Sequence, residues 1–180
     1  GSCGITFTPG DSLGAKYKNN FVYCAYSKGL YTFKFSPDGA GLKIEDLNNF
    51  WKEGNGSLID TVFDADGKLY VADYVSTSSG DNKGAIFLLQ DEELLKQKSV
   101  LSAAVILKSD LSKAAITDLY QNLFHEDMRV RLFSQFQLVK RGAEGKAQLE
   151  AAVKQQEHEL ARLHGIWGLG QLARQDSKVC

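Results

Sequence analysis

The feature that most constrains the fold is an abrupt change in residue usage near residue 91. The residues before it are rich in glycine, aromatic and β-branched types and include both prolines, whereas those after it are rich in Ala, Leu, Gln, Lys and Glu. The first pattern is typical of short strands separated by turns, and the second is typical of helices. The sequence therefore predicts an α+β chain in two segments, joined end to end.

The first segment repeats a strand–turn–strand pattern. Residues 19–35 align with residues 67–89, and Asp-Gly pairs that end at Gly39 and Gly67 lie where hairpin turns are expected. Glycine readily adopts the positive φ that such tight turns require. A repeat of roughly 40–50 residues with several strands per unit is typical of β-propeller blades. We therefore predict a partial antiparallel β-propeller of about two blades over residues 1–90.

The second segment repeats as well. Residues 125–142 align with residues 158–175 when His125 is superimposed on His158. Apolar residues then recur at every third position in both copies, which we interpret as one buried stripe per helix. Two helices per repeat, stacked on their neighbours, predict a HEAT-like helical solenoid of two helix pairs over residues 112–180. The stripe consists of Val130, Phe133, Phe136 and Val139 in the first copy and Leu163, Ile166, Leu169 and Leu172 in the second.

Residues 91–111 form the predicted junction between the two segments. We expect a helix there, although its tail AAVILK (103–108) also suits a short strand. A propeller needs about 4–8 blades to close, and a solenoid is marginal below about three repeats. We therefore expect the chain to be a segment of a longer protein.

Charge and cysteine content narrow the possible functions. The formal net charge is −1, which argues against nucleic acid or a membrane surface as the partner. No apolar run approaches the ~18 residues of a membrane span, so none is predicted. The cysteines form no CxxC pair; we expect Cys24 to be a small buried hydrophobe, and a bridge between Cys3 and Cys24 stays open.

Three residues of the first segment are candidates for a ligand-binding cleft. Asp60 begins one predicted strand, and Asp73 and Tyr74 end the next. In a propeller, such strand ends face a common cleft, so these side chains either bind a ligand there or hydrogen-bond a loop backbone. No catalytic residue is identified, because GxSxG is absent. The histidines lack the spacing of metal ligands, so no metal site is predicted.

In the second segment, several residues are expected to support packing. Asp127 and Arg131 are spaced i, i+4 at a helix start, which favours a helix-dipole role and an ion pair between repeats. Gly165, Gly168 and Gly170 lie within one predicted helix, where each costs roughly 1 kcal/mol relative to alanine. We therefore expect that this helix packs closely on a neighbouring surface.

These residues resemble a known family. The run SLIDTVFDADGKLYVADY (57–74), followed by KGAIFLL (83–89), resembles a blade of the PQQ-dependent glucose/sorbosone dehydrogenase-like propellers, and residues 4–26 resemble the preceding blade. Residues 125–142 and 161–174 resemble the HEAT repeats that follow in one branch, the membrane-bound dehydrogenases, many of which end in a c-type haem domain. The order of these parts, propeller blades followed by a helix pair, also matches the family, and the resemblance covers nearly the whole chain.

The resemblance implies a periplasmic or extracellular quinoprotein that oxidises a sugar or another alcohol with PQQ and calcium and passes electrons to a downstream haem. Residues 1–90 contain no arginine and no histidine, and no CxxCH occurs in the chain. This segment is therefore expected to supply scaffold and part of a cleft wall. Its HEAT surface would contact a protein partner or the chain's own propeller. The alternative is a non-enzymatic propeller/HEAT module that binds proteins.

Overall fold

The computed structural model describes residues 1–26, 28–51, 57–75 and 83–175. It divides into two compact units, Gly1–Leu101 and Ser102–Cys180, which we call the sheet unit and the helical unit. The boundary between them falls inside the predicted junction. Each unit is described by itself below.

The sheet unit contains two antiparallel sheets whose strands follow chain order. Tight turns at Gly39 and Gly67 connect neighbouring strands, and both glycines adopt the positive φ (58° and 83°) predicted for their Asp-Gly turns. The turn prediction is therefore confirmed at both glycines. The first sheet contains β1 (Ser2–Phe7), β2 (Phe21–Ala25), β3 (Gly29–Asp38) and β4 (Gly41–Trp51), and the second contains β5 (Leu58–Phe63), β6 (Leu69–Val75) and β7 (Lys83–Leu89).

One core serves both sheets. Alternation along the strands places Val22, Cys24 and Leu30 on one face of the first sheet, where they pack in a cluster with Leu69 and Val71 of the second. Cys24 is fully buried, as predicted. Burial raises the pKa of its thiol to about 12. Cys3, in contrast, is exposed, and both thiols are free rather than bridged.

The prediction of propeller blades is wrong. The two sheets have four and three strands, and neither closes. The alignment of residues 19–35 with 67–89 matched the β2–β3 pair to the β6–β7 pair, and β4 has no counterpart among the described strands of the second sheet. A hairpin with a glycine turn recurs in any antiparallel meander, so its repetition did not define a blade.

Six helices follow in the described part of the chain. Asp91 caps the first of them, and its carboxylate accepts hydrogen bonds from the backbone N–H groups of Glu93 and Leu94. The junction tail at 103–108 is helical rather than extended. None of the six is long and apolar enough to cross a membrane. They are α1 (Glu92–Leu95), α2 (Lys98–Lys108), α3 (Ile116–Asn122), α4 (Met128–Lys140), α5 (Ala143–Val153) and α6 (Glu159–Gln175).

The prediction of a HEAT-like solenoid is also wrong. Helices α3 to α6 pack as two hairpins around one shared core, which includes Leu119, Leu138, Leu149 and Leu172. The hairpins are not equal repeats, since α3 has 7 residues and α5 has 11, whereas α4 has 13 and α6 has 17. One compact cluster, rather than a stack of like units, buries the apolar faces.

A different correspondence relates the two hairpins. The Nη1 atom of Arg131 donates to the backbone carbonyls of His125 and Glu126, at 2.6 and 2.8 Å. In the second hairpin, Nη1 of Arg162 donates to two loop carbonyls at 2.7 and 2.8 Å, those of Gln155 and Gln156. We call this contact the arginine clasp. Aligning the two hairpins on this contact matches Arg131 with Arg162. The sequence alignment that matched His125 with His158 was therefore out of register.

Candidate functional site: a groove between two helices

Helix α4 is fixed at its start by an N-cap. The carboxylate of Asp127 accepts from the backbone N–H of Arg129 at 2.8 Å and pairs with the Arg129 guanidinium at 2.7 Å. Arg131 instead points back to the preceding loop in the arginine clasp. The helix-terminus role predicted for Asp127 is therefore confirmed, but its ion pair is with Arg129 of the same helix rather than with another repeat.

Helix α6 has one side that packs closely on α5. A Cβ atom added at Gly165 would lie 2.8 Å from the carbonyl oxygen of Leu149, and one at Gly168 would lie 2.6 Å from a methyl carbon of the same leucine. The predicted close packing is confirmed at these two glycines. At Gly170, however, an added Cβ would meet nothing within 4 Å. Gly170 therefore lies on an open side of α6.

Three polar side chains, linked by hydrogen bonds, join α4 to α6. The Oε1 atom of Gln135 lies 2.7 Å from Nδ1 of His164, and its Nε2 donates to Oε1 of Gln171 at 3.0 Å. Because an amide oxygen only accepts, the His164 proton lies on Nδ1. Burial lowers the pKa of His164 to about 4, and the Arg131 charge adds to the shift. The histidine is therefore neutral at pH 7. The hydrogen bonds among the three side chains fix the separation of α4 and α6.

The open side of the same two helices forms a groove. Two adjoining cavities of 640 and 420 Å³ share Phe136, Gln171 and Arg174 in their walls. Cavities of this size match the pockets that hold ligands or anchor side chains. Trp167, Ile166 and Phe136 are 52%, 51% and 37% exposed. We call this surface the α4–α6 groove and define it by Phe136, Lys140, Ile166, Trp167, Gly170 and Arg174.

Sequence reasoning placed several groove residues in the core. Val130 and Val139 of the predicted stripe are buried, but Phe133, Phe136 and Ile166 are exposed. Because three residues advance a helix by about 300°, each step of the stripe turns it by about 60°, and four positions sweep half the circumference. Such a stripe cannot lie on one face. The gradual rotation of these apolar positions around the helix was therefore the sequence signal for an exposed apolar surface.

The charge of the groove has one sign. Among the described residues that line the two cavities, the charged ones are Lys140 and Arg174, and none is acidic. Both are exposed, and neither forms an ion pair with any other described residue. Helix α4 contains no acidic residue, and α6 contains one, Glu159, at its opposite end. The groove therefore combines an apolar floor with a basic end.

The three predicted cleft residues do not converge on one site. Asp60 accepts a hydrogen bond at 2.8 Å from the backbone N–H of Thr61, its neighbour within strand β5, so this bond supports the strand rather than a loop. Asp73 lies on the buried side of β6, and its Oδ1 has no hydrogen-bond partner among the described residues. Tyr74 follows it on the opposite, exposed side. Adjacent positions in a strand thus separate the two side chains.

A serine–histidine pair in the helical unit does not have the arrangement of a nucleophile and its base. Nε2 of His125 lies 2.7 Å from the hydroxyl of Ser102, and Nδ1 accepts from the backbone N–H of Asp127 at 2.9 Å. Since Nδ1 accepts, the neutral ring carries its proton on Nε2 and donates it to the serine. A base would need a free lone pair facing that hydroxyl. The pair therefore secures the α3–α4 loop.

The described residues give no support to the cofactors that the family resemblance implies. No group of three or more His, Cys, Asp or Glu residues in the described ranges is arranged to hold a metal such as calcium. The resemblance requires arginines and a histidine around PQQ, and residues 1–90 contain neither type. The dehydrogenase hypothesis, its downstream haem and its export therefore stay predictions.

Comparisons with known proteins add no family assignment. No model of a protein family, no curated protein and no solved structure matches the chain. The α4–α6 groove is therefore argued from its own geometry and charge.

Proposed function

We propose that the chain is a protein-binding module whose α4–α6 groove holds a segment of a partner protein. The observation that supports this most directly is the grouping of Trp167, Ile166 and Phe136, each more than one-third exposed, around cavities of 640 and 420 Å³. Large exposed apolar side chains around an open cavity favour binding, because a partner that covers them removes their surface from water.

The residue types of the groove suit this role. Tryptophan and arginine are enriched among the side chains that dominate binding energy at protein interfaces. The Trp167 ring packs edge-on against the His164 ring, with centroids 5.2 Å apart, so it is held in place before a partner arrives. Anchoring of this kind lowers the entropy cost of binding.

Gly170 provides the test, because it can be changed without touching the fold. We expect a Gly170→Leu side chain to occupy the groove, since nothing lies within 4 Å of the added Cβ. The matched control is Gly170→Ala, which leaves most of the volume open. A displayed peptide library is selected on the full chain and counter-selected on Gly170→Leu.

We expect the selected peptides to bind the original chain and Gly170→Ala with similar Kd values, and Gly170→Leu at least about tenfold more weakly. Peptides that bind all three proteins equally would show that the groove is not the binding surface. A selection that yields no binding peptide would also contradict the proposal.

A further inference from the structure

Resting on the proposed function, we infer that the partner in the α4–α6 groove is a second copy of this chain, and that the two copies pair through antiparallel α6 helices. In this pairing, the Trp167 ring of each copy fills the open space beside Gly170 of the other. Each groove is therefore completed by a side chain of the partner copy. The spacing of residues along α6, the exposed apolar area and the positions of the charges support this pairing.

The exposed side of α6 carries a large ring and a gap of matching kind. Trp167 and Gly170 are three residues apart, so they lie on the same side of the helix, one turn from each other. The Trp167 side chain is 52% exposed, and a Cβ added at Gly170 would meet no described atom within 4 Å. Both residues line the 640 Å³ cavity. A large exposed side chain therefore lies next to an unfilled space.

A two-fold axis brings the ring and the gap together. In a symmetric dimer, one surface of each copy contacts the same surface of the other, so two different positions on that surface meet each other twice. When the axis crosses α6 midway between Trp167 and Gly170, the two helices are antiparallel, and each Trp167 meets the Gly170 of its partner. Parallel helices would instead place Trp167 against Trp167 and leave both gaps empty.

The exposed apolar area is sufficient for a dimer. Leu160, Ile166 and Trp167 of α6 are 51%, 51% and 52% exposed, and Phe136 of α4 is 37% exposed. Large apolar side chains bury roughly 150–250 Å² each when fully covered, so two copies would bury roughly 600–1,000 Å² of apolar surface. Because a little over half of a typical interface is apolar, the total overlaps the range of specific protein interfaces.

The charges along α6 agree with the antiparallel direction. Glu159 lies in the first turn of α6, and Arg174 lies in the last. The two-fold axis places Arg174 over Leu163 of the partner, with the partner's Glu159 one turn beyond, within reach of a long arginine side chain. A parallel pair would bring the two Arg174 side chains together. These contacts lie at the edge of the interface, so they affect direction more than affinity.

Self-association of the full chain provides the test. Sedimentation equilibrium from low to high micromolar concentration should show monomer and dimer with a Kd in the micromolar range. Gly170→Leu fills the gap and Trp167→Ala removes the ring, so each should weaken the dimer at least about tenfold. Gly170→Ala, the matched control, leaves most of the gap open and should weaken it less than about threefold. Circular dichroism verifies that each variant is folded.

A mixture of the two disruptive variants tests the antiparallel contact itself. In a mixed dimer, Trp167 of the Gly170→Leu chain enters the open gap of the Trp167→Ala chain, and the introduced leucine lies against the introduced alanine. We expect the mixed pair to bind at least about fivefold more tightly than either variant binds itself. Fluorescence anisotropy of the labelled Gly170→Leu chain, titrated with each variant, measures both affinities.

Three outcomes would overturn the inference. They are a chain that stays monomeric at high concentration, self-association that neither Gly170→Leu nor Trp167→Ala weakens, and a mixture that binds no better than each variant alone. In each case the proposed function still stands if the selected peptides bind the original chain and not Gly170→Leu. The peptide selection and the association measurement thus fail independently.

Discussion

The two sides of helix α6 use the same residue type for opposite purposes. On the packed side, Gly165 and Gly168 leave no room for a methyl group, because the α5 residue Leu149 lies directly against them. On the groove side, Gly170 borders open space next to Trp167 and Arg174. The comparison teaches that a glycine in a helix marks either a close contact or a gap, and only the surroundings distinguish them.

The largest effect is expected from a change of pH, because it protonates the buried ring of His164 beside the packed side of α6. The pKa of His164 is lowered from 6.5 to about 4, so its stabilising effect is complete above pH 6.5 and is lost as the pH falls towards 4. We expect the free energy of unfolding to fall by about 3 kcal/mol between pH 7 and pH 4 through this group. Urea titrations at a series of pH values measure the loss.

Carboxylates titrate in the same range, so the histidine is isolated by difference. His164→Gln should flatten the pH dependence of the free energy of unfolding between pH 6.5 and 4. Equal pH profiles for the original chain and His164→Gln would show that the buried ring does not control this range.

The second largest effect is expected at the packed side itself. Gly165→Ala should destabilise the helical unit by about 2 kcal/mol, because the new methyl would press on the backbone of Leu149 and Val153, which cannot move aside. Gly168→Ala should cost less, since its contact is the end of the Leu149 side chain. Urea midpoints by circular dichroism give both values. If Gly165→Ala instead stabilised the helical unit, the packed side of α6 would not be closely packed as described.

The third effect has the opposite sign. Gly170→Ala should stabilise the helical unit by about 1 kcal/mol, because alanine gains helix propensity and its Cβ meets nothing within 4 Å. The same urea titration measures it, with Gly165→Ala as the matched substitution on the packed side. If the two substitutions changed stability alike, the two sides of α6 would not differ as described.

The smallest effect concerns the wall of the groove. Ile166→Gln should change the stability of the free chain by no more than about 0.5 kcal/mol, because Ile166 is half-exposed and fills no core position. Leu172→Gln, at the buried position of the same helix, is the control and should be strongly destabilising. A large loss for Ile166→Gln would mean that this side chain supports the core and is unavailable to a partner.

Local features of the fold were predictable from the sequence, whereas their assembly was not. Asp-Gly pairs identified the turns at Gly39 and Gly67, because positive φ is a property of the residues themselves. The burial of Cys24 followed from strand composition. Blades and solenoid failed because both depend on how hairpins are placed in space, which a repeated hairpin pattern does not determine.

The candidate site was largely missed, for a related reason. Trp167 belongs to none of the predicted motifs, and Phe136 and Ile166 belong to the stripe that was predicted to be buried. Periodicity shows which residues share a face, but it cannot show whether another helix covers that face. The basic end of the groove depends on two helices meeting, so Lys140 and Arg174 give no signal in either helix alone.

The arginine clasp has a consequence for how this helical unit can change over generations. Arg162 reaches carbonyls one residue farther back than Arg131 does, because two residues, Glu157 and His158, separate its carbonyl pair from the start of α6, whereas Asp127 alone does so before α4. A loop held from within its own hairpin can thus gain a residue while its neighbours keep their sequences. We therefore expect an insertion of one residue in either loop to leave the arginine contact and the core intact.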